Sequence, residues 1–183
     1  MKPLSPTQSA TRTRVIDAAV GLAAARGYDG FTMRDVAAAA GVSPATAYLY
    51  YSSKDALLLD ALVERGQQTT DALARRRSGG SLQARISDAF AGVVRAYEAA
   101  PLLYQAMFRA YVSRPIEGES PWSGRSWLDQ AVDGSVAERD AVVEVLQAIV
   151  LSSMIALITG STSADVLRRF RRSVAVVSRS VGG

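Results

Sequence analysis

The stretch TMRDVAAAAGVSPATAYLYYS, residues 32–52, decides the fold of this 183-residue chain. Two short helical patterns, 33–40 and 44–50, flank Gly41, a residue that takes up the positive φ of a tight turn at little cost. Two helices that cross steeply need a small residue where they touch, and Ala37 is placed to supply it. The spacing predicts a helix-turn-helix over 33–52. Its shared apolar face consists of Val36, Ala40, Val42, Ala47 and Tyr50.

Both helices of this motif begin with a recognisable start signal. Thr32 stands three residues before Asp35, which is the spacing of a capping box. Ser43 directly precedes Pro44, which places a hydroxyl at the N-cap and proline at the first helical position. We therefore expect both hydroxyl side chains to cap their helices.

The second helix presents an unusual outward face. Helical spacing puts Ala47, Tyr50 and Tyr51 in the core, so Tyr48 and Leu49 point away from it. An outward leucine beside a tyrosine suits a DNA major groove, where apolar side chains contact thymine methyl groups and hydroxyls bond base edges or phosphates. The residues expected to contact DNA are Thr32, Arg34, Ser43, Pro44, Ala45, Thr46, Tyr48, Leu49 and Lys54. The alternative for Arg34, Tyr48 and Lys54 is an ordinary solvated side chain.

The composition excludes several classes of enzyme. The chain has no cysteine and no histidine, so thiolate nucleophiles, disulfides and Ser-His-Asp triads are impossible. Magnesium or carboxylate-pair chemistry stays open, but no paired-carboxylate or metal-ligand spacing supports it. We expect no cofactor, no metal site and no enzymatic activity. The net charge of +4 is weak support for nucleic-acid binding, because a local patch counts for more than a total.

The periodicity is helical nearly throughout, which predicts an all-α chain of about nine helices. The predicted segments are 11–26, 33–40, 44–50, 53–77, 81–99, 101–113, about 121–132, 135–159 and 163–180, with a loop at 114–124. Residues 1–10 are expected to be a flexible arm, either entering a minor groove or simply disordered. The longest apolar run, around 148–158, is too short to cross a bilayer, so we expect a cytoplasmic protein without a membrane partner.

The N-terminal third resembles the DNA-binding module of TetR/AcrR-type transcriptional regulators. The resemblance covers residues 11–65, and beyond them it rests on length and helical character. Tyr51 stands where the family more commonly has phenylalanine. The matching residues are Gly27 and Tyr28 after the first helix, Thr32, the Ala40–Ser43 turn, Thr46, Tyr48, Tyr50, Tyr51, Lys54, Leu57 and Leu58.

This resemblance implies a division of labour along the chain. Residues 11–65 would form a three-helix DNA-binding domain, and 66–183 a helical domain for effector binding and dimerisation. A homodimer would bind a pseudo-palindromic double-stranded operator and, acting as a repressor, be released by a small-molecule effector. Helix 53–77 joins the two domains and is expected to transmit the change between them.

Two helices near the chain end are expected to form the dimer interface of the resembled family. Apolar residues recur in steps of three and four, as in a coiled-coil seam. The alternative is that both seams are used inside one chain. The expected interface residues are Leu146, Ile149, Leu167, Phe170, Val174 and Val177.

The middle helices carry aromatic and methionine residues, which usually form core but in this family enclose an effector pocket. Some family members with a similar sequence at 43–50 respond to lipid-like or acyl-thioester ligands, so the resemblance implies a hydrophobic effector. Arg95 or Arg109 could bind an acidic group on such an effector. The expected pocket residues are Phe90, Tyr97, Tyr104, Met107, Phe108, Tyr111, Trp122, Trp127 and Met154.

Two other classes of function stay open from the sequence. One is a DNA architectural protein that binds without sequence preference. The other is a helical small-molecule carrier or enzyme in which the helix-turn-helix does not bind DNA. Competition between a preferred and a random duplex separates the first from a regulator, and detectable turnover identifies the second.

Overall fold

The structure is a computed structural model that describes residues 5–75, 81–113, 127–132, 136 and 138–180, excepting the side chains of 69–75 and 130. Over these residues the regular structure is helical, which confirms the all-α prediction. The whole predicted loop at 114–124, with Trp122, lies outside the described residues. The helices are α1 (Pro6–Arg26), α2 (Met33–Ala39), α3 (Pro44–Tyr50), α4 (Lys54–Arg75), α5 (Leu82–Ala99), α6 (Pro101–Val112), α7 (Trp127–Ala131), α8 (Arg139–Ile158) and α9 (Ser163–Ser180).

The first helix begins earlier than the sequence analysis predicted. Helix α1 starts at Pro6, so the prediction of a flexible arm over 1–10 is wrong for the last five of those residues. The Ser5 hydroxyl accepts from the Gln8 N–H, and the Gln8 side chain accepts from the Ser5 N–H at 2.9 Å. This capping box, with proline at the first helical position, is enough to start the helix in a stretch that buries nothing.

The chain divides into two compact units. The first contains the chain up to Glu64 together with α6, and the second contains the rest of α4, α5 and the helices from α7 onward. The division inside α4 lies between Glu64 and Arg65, whereas the sequence analysis placed a domain boundary at 65/66 and α6 in the second domain. Helix α6 belongs to the first unit because it packs along α1.

The core of the first unit is the one expected for a helix-turn-helix. Val36 and Ala37 of α2 and Ala47 of α3 are fully buried. Gly41 has a φ of +65°, as the tight turn between the two helices requires. Val15 and Ala19 of α1 close the same core. The helix-turn-helix predicted over 33–52 is therefore present.

The core of the second unit uses residues that were expected to face a partner chain. The rings of Phe90 and Phe170 are stacked with centroids 3.9 Å apart. Phe170 and Val174 are fully buried because α5 and α8 cover the apolar stripe of α9, and Leu146 of α8 is fully buried as well. These three residues are packed inside their own chain and are not exposed for dimerisation. Ile149, Leu167 and Val177 are half-buried.

Helix α8 keeps a second apolar face uncovered. By length and composition it is long enough to cross a membrane, contrary to the expectation from the shorter run at 148–158, and 28% of its apolar stretch is buried. Such a helix is also typical of a protein core or an interface, so membrane insertion does not follow. Its exposed large apolar residues are Val145, Leu151 and Ile155, and Val176 of α9 is exposed as well.

Candidate nucleic-acid interface

Helix α3 is fixed at its start by two hydroxyl groups. The Ser43 hydroxyl accepts from the Thr46 N–H at 3.1 Å, and the Ser43 and Thr46 hydroxyl oxygens lie 2.9 Å apart. Pro44 occupies the first helical position. The cap predicted from Ser43 and Pro44 is therefore confirmed. Both hydroxyls stay at the surface, where each oxygen has further hydrogen-bonding capacity.

The faces of α3 are divided as its spacing predicts. Ala47 and Tyr51 are buried and Tyr50 is half-buried. Tyr48 is 51% exposed and Leu49 is 81% exposed. Pro44 and Ala45 are exposed beside them, and Thr46 is half-buried. The outward surface of α3 therefore combines a phenol, hydroxyls and small apolar groups. This mixture can contact both phosphates and base edges in a groove.

The start of α2 is held by a capping box that uses the Thr32 hydroxyl. This hydroxyl accepts from the Asp35 N–H at 3.3 Å and donates to Asp35 Oδ2, 2.7 Å away. The bonds from Thr32 keep the pKa of Asp35 below its ordinary 3.8. The predicted cap is confirmed, but the Thr32 proton is engaged by a carboxylate. A phosphate contact through this hydroxyl would require it to turn away from Asp35. Arg34, in the same turn, is exposed.

Lys54 is half-buried, although the sequence analysis predicted it as a surface residue that contacts phosphate. Its Nζ donates to the carbonyl oxygens of Tyr28 at 2.7 Å and Phe31 at 3.1 Å. The same atom lies 4.0 Å from the centre of the Tyr28 ring and 4.9 Å from that of Phe31. An ammonium group has three donors, so one remains for another acceptor. Lys54 therefore joins the start of α4 to the turn between α1 and α2.

Tyr28 is the centre of this polar cluster. Its hydroxyl donates to the Asp55 carboxylate, which together with burial raises the pKa of Tyr28 to about 12. Arg109 of α6 lies with its Cζ 4.1 Å from the centre of the Tyr28 ring. Arg109 Nη1 also donates to Asp29 Oδ2 at 2.7 Å. Arg109 was considered for an acidic effector, but it is engaged with the first unit.

Tyr51 uses the hydroxyl that distinguishes it from the commoner phenylalanine. The hydroxyl donates to Asp60 Oδ2 at 2.5 Å, and Arg12 of α1 forms an ion pair with the same carboxylate. Burial and the bond to Asp60 raise the pKa of Tyr51. The cluster ties α1 to α4. Sequence reasoning missed it, because residues 12, 51 and 60 share no local spacing.

The residues expected to line an effector pocket are distributed over both units. Tyr104, Met107, Phe108 and Tyr111 belong to α6 of the first unit, where Met107 is fully buried. Phe90, Tyr97, Trp127 and Met154 belong to the second unit. There the Tyr97 hydroxyl donates to the Leu157 carbonyl oxygen at 3.3 Å.

A groove of about 460 Å³ lies between α8 and α9 of the second unit, and none of the expected pocket residues lines it. Phe170 and Val166 border it from α9. Along α8 it is lined by Val145, Ala148, Ile149, Ser152, Ser153 and Ala156, and Arg169 and Ser173 add polar groups from α9. The groove therefore shares Val145, Ala148 and Ser152 with the exposed surface of α8, whereas Leu151 and Ile155 lie outside it. We use the name α8 face for the exposed apolar surface formed by Val145, Leu151 and Ile155 of α8 and Val176 of α9.

Comparison with known proteins gives matches over most of the chain. Residues 15–61 match the model of the family described as bacterial regulatory proteins, tetR family. The chain is also 34% identical over 181 residues to the HTH-type transcriptional repressor KstR of Mycolicibacterium smegmatis, covering 93% of this chain and 88% of that protein. The second match extends the resemblance beyond the DNA-binding module.

Solved structures support the fold alone, because their sequence identity is low. A TetR transcriptional regulator from Rhodococcus sp. RHA1 is similar with a TM-score of 0.82 and 22% identity, covering 93% of this chain and 97% of that one. FadR of Thermus thermophilus, a TetR family repressor in complex with lauroyl-CoA, has a TM-score of 0.74 and 19% identity, covering 91% and 92%.

Proposed function

The chain belongs to the TetR family of bacterial regulatory proteins, and from this premise we propose that it is a ligand-responsive transcriptional repressor. It binds a pseudo-palindromic operator as a homodimer in the cytoplasm, and a small hydrophobic effector releases it. The observation that carries the proposal is the outward surface of α3. Tyr48 and Leu49 are exposed there on a helix whose start is fixed by Ser43.

The residues of this surface have different tasks in the proposed complex. Tyr48 and Arg34 bind phosphates and so position the module without reading sequence. Leu49, Ala45 and Thr46 face the base edges, where apolar contacts to thymine methyls discriminate among base pairs. Ser43 and Pro44 hold the start of α3 against the backbone. Thr32 and Lys54 act first through their contacts inside the module, because their polar atoms already bond Asp35, Tyr28 and Phe31.

The homodimer forms through the α8 face. In place of the buried Leu146, Phe170 and Val174, the contact residues we propose are Val145, Ala148, Leu151, Ser152 and Ile155 of α8 and Val176 of α9. A large uncovered apolar surface on one helix is unfavourable in water and is typical of an interface. Such a dimer is two-fold symmetric, so it would place two α3 helices in successive major grooves, about 34–36 Å apart.

The effector binds in the second unit, where Phe90, Tyr97, Trp127 and Met154 supply aromatic and methionine surface. The complex of the related FadR with lauroyl-CoA supports a ligand with an acyl chain. An effector that prefers the conformation with mis-spaced α3 helices must weaken operator binding by the same coupling factor.

Selection of bound duplexes from a random DNA pool tests the operator proposal. We expect an enriched inverted repeat whose half-site centres are one helical turn apart, about 10 base pairs. Enrichment of no sequence, with equal binding of all duplexes, would instead support a DNA architectural protein. A single asymmetric site would contradict the homodimer.

Lauroyl-CoA then tests the effector proposal with a defined probe. The selected duplex is titrated with protein in the presence of lauroyl-CoA or of free coenzyme A. We expect the acyl thioester to weaken DNA binding and coenzyme A to leave it unchanged. Equal binding in both cases would contradict an acyl-thioester effector without affecting the operator proposal. Turnover of the thioester by the protein would favour the enzyme alternative.

A further inference from the structure

Two cationic side chains contact the Tyr28 ring, and they come from helices that are far apart in the sequence. Lys54 Nζ, at the start of α4, lies 4.0 Å from the ring centre, and the Arg109 guanidinium carbon lies 4.1 Å from it. Both distances are within the range in which a cation is attracted to an aromatic face. The ring is therefore a common contact of α4, α6 and the turn between α1 and α2.

This turn determines where the helix-turn-helix begins. Lys54 donates to the carbonyl oxygens of Tyr28 and Phe31. Thr32, which directly follows Phe31, caps α2. The hydroxyl of Tyr28 is bound to Asp55. A displacement of the Tyr28 ring would therefore change both the start of α2 and its connection to α4, and with them the orientation of α3.

Arg109 is the contribution of α6 to this arrangement. It contacts the ring of Tyr28 and pairs with Asp29, the next residue of the turn. Helix α6 follows α5 of the second unit after a single residue, Ala100. Arg109 thus lies on the helix through which the chain returns from the second unit to the DNA-binding unit.

We propose that Arg109 is a positioning residue for DNA binding, which holds the Tyr28 ring so that α2 and α3 keep the orientation required by the operator. This inference rests on the proposed function and assigns a residue outside the helix-turn-helix to it. The guanidinium touches no DNA. It acts through Tyr28, and its ion pair with Asp29 contributes little, because both side chains are largely exposed.

A double-mutant cycle with Arg109→Gln and Tyr28→Leu tests the proposal. A cation over an exposed aromatic ring contributes enough to change an equilibrium about three-fold. We expect Arg109→Gln to weaken binding to the selected operator by about that factor when Tyr28 is present, and to have no further effect in the Tyr28→Leu chain. An equal loss in both backgrounds would reveal a general effect of charge and overturn the proposal.

Hydrogen exchange supplies a readout that does not depend on DNA. The amides of Asp35 and Val36 bond to Thr32, so they report on the start of α2. We expect them to exchange about three-fold faster in Arg109→Gln. Arg14→Gln, which removes the same charge from an exposed arginine of α1, should leave their exchange unchanged. This comparison decides the issue even if Tyr28→Leu fails to fold.

Each remaining outcome has a definite meaning. Unchanged exchange in Arg109→Gln, or the same change in Arg14→Gln, would overturn the positioning role. Faster exchange with unaltered operator affinity would show that Arg109 positions the turn but not the DNA-binding surface, which also overturns the proposal. If the wild-type protein prefers no duplex over random DNA, the proposed function fails, whereas the exchange experiment still decides whether Arg109 holds the turn.

Discussion

Two surfaces of this chain expose large apolar side chains, and they differ in what surrounds those side chains. On α3, Leu49 lies beside the Tyr48 phenol and the hydroxyls of Ser43 and Thr46. On α8, Val145, Leu151 and Ile155 are exposed along a 20-residue helix, and Val145 also borders a groove of about 460 Å³.

The difference indicates what kind of partner each surface fits. A short helix with hydrogen-bonding groups around one leucine matches the mixed polar and apolar edge of a DNA groove. A 20-residue helix that exposes three large apolar side chains can bury a larger area with fewer hydrogen bonds, as a protein interface does. Apolar residues are thus exposed on both proposed partner surfaces, and the hydroxyl and phenol groups beside Leu49 distinguish the proposed DNA surface from the proposed dimer surface.

The largest expected effect comes from placing a charge in the α8 face. Ile155→Glu buries a carboxylate at the proposed interface, which is strongly unfavourable without a partner. We expect the wild type to sediment at twice the 19.4 kDa of one chain and the variant to sediment as a single chain. Ala164→Glu, at an exposed position in the first turn of α9, should leave the dimer intact. If the Ile155→Glu protein stayed dimeric, the α8 face would not be the dimer interface.

Loss of the Tyr48 phenol should weaken DNA binding by about ten-fold, because a hydrogen bond to a charged group contributes about 1.5 kcal/mol. The loss should be equal for the selected operator and for random DNA, since a phosphate contact carries no sequence information. Anisotropy titrations of Tyr48→Ala with both duplexes measure it. If the affinity for the operator alone fell, Tyr48 would be reading bases.

A smaller and more selective change is expected at Leu49. Leu49→Ala removes an apolar contact to a thymine methyl, so the preference at one base pair of each half-site should fall by about 1 kcal/mol. Binding to random DNA should stay the same. Repeating the selection with the variant measures this, and an unaltered preference at every position would exclude Leu49 from base reading.

The smallest effect on DNA binding is expected at Tyr51, which is buried beneath the exposed face of α3. Tyr51→Phe removes one hydrogen bond to the charged Asp60 and leaves the ion pair with Arg12, so the free energy of unfolding should fall by about 1.5 kcal/mol. Operator affinity at a temperature where both proteins are folded should not change. Urea titration measures the free energy of unfolding of both proteins. If the two values were equal, the bond from Tyr51 to Asp60 would be no more stable than the bond that this hydroxyl forms with water in the unfolded chain.

The DNA-binding unit could be predicted closely because its signals are local. The caps at Thr32 and Ser43, the positive φ of Gly41 and the burial of Ala47 all follow from spacing within a few residues. The same Ser-Pro signal stands at Ser5 and Pro6, where it starts α1. It was missed because the stretch that follows is polar and has no apolar stripe.

The second unit could not be predicted as well, because its apolar helices have more than one stripe. Periodicity identified Phe170 and Val174 as a seam, but it does not decide whether α5 or a partner chain covers that seam. Stacking of Phe90 on Phe170 assigns it to the monomer core. The assignment of α6 to the first unit and the contact of Arg109 with Tyr28 likewise depend on long-range packing, which local spacing does not encode.

The separation of the two surfaces is tested most directly by titrating wild-type and Ile155→Glu proteins with the full selected operator and with a duplex carrying one half-site. We expect the wild type to bind the full operator far more tightly than the half-site, because two α3 helices bind at once. We expect Ile155→Glu to bind both duplexes equally and at the wild-type half-site affinity. A variant that keeps the preference for the full operator, or that loses half-site binding as well, would contradict the assignment of DNA reading to α3 and of dimerisation to α8.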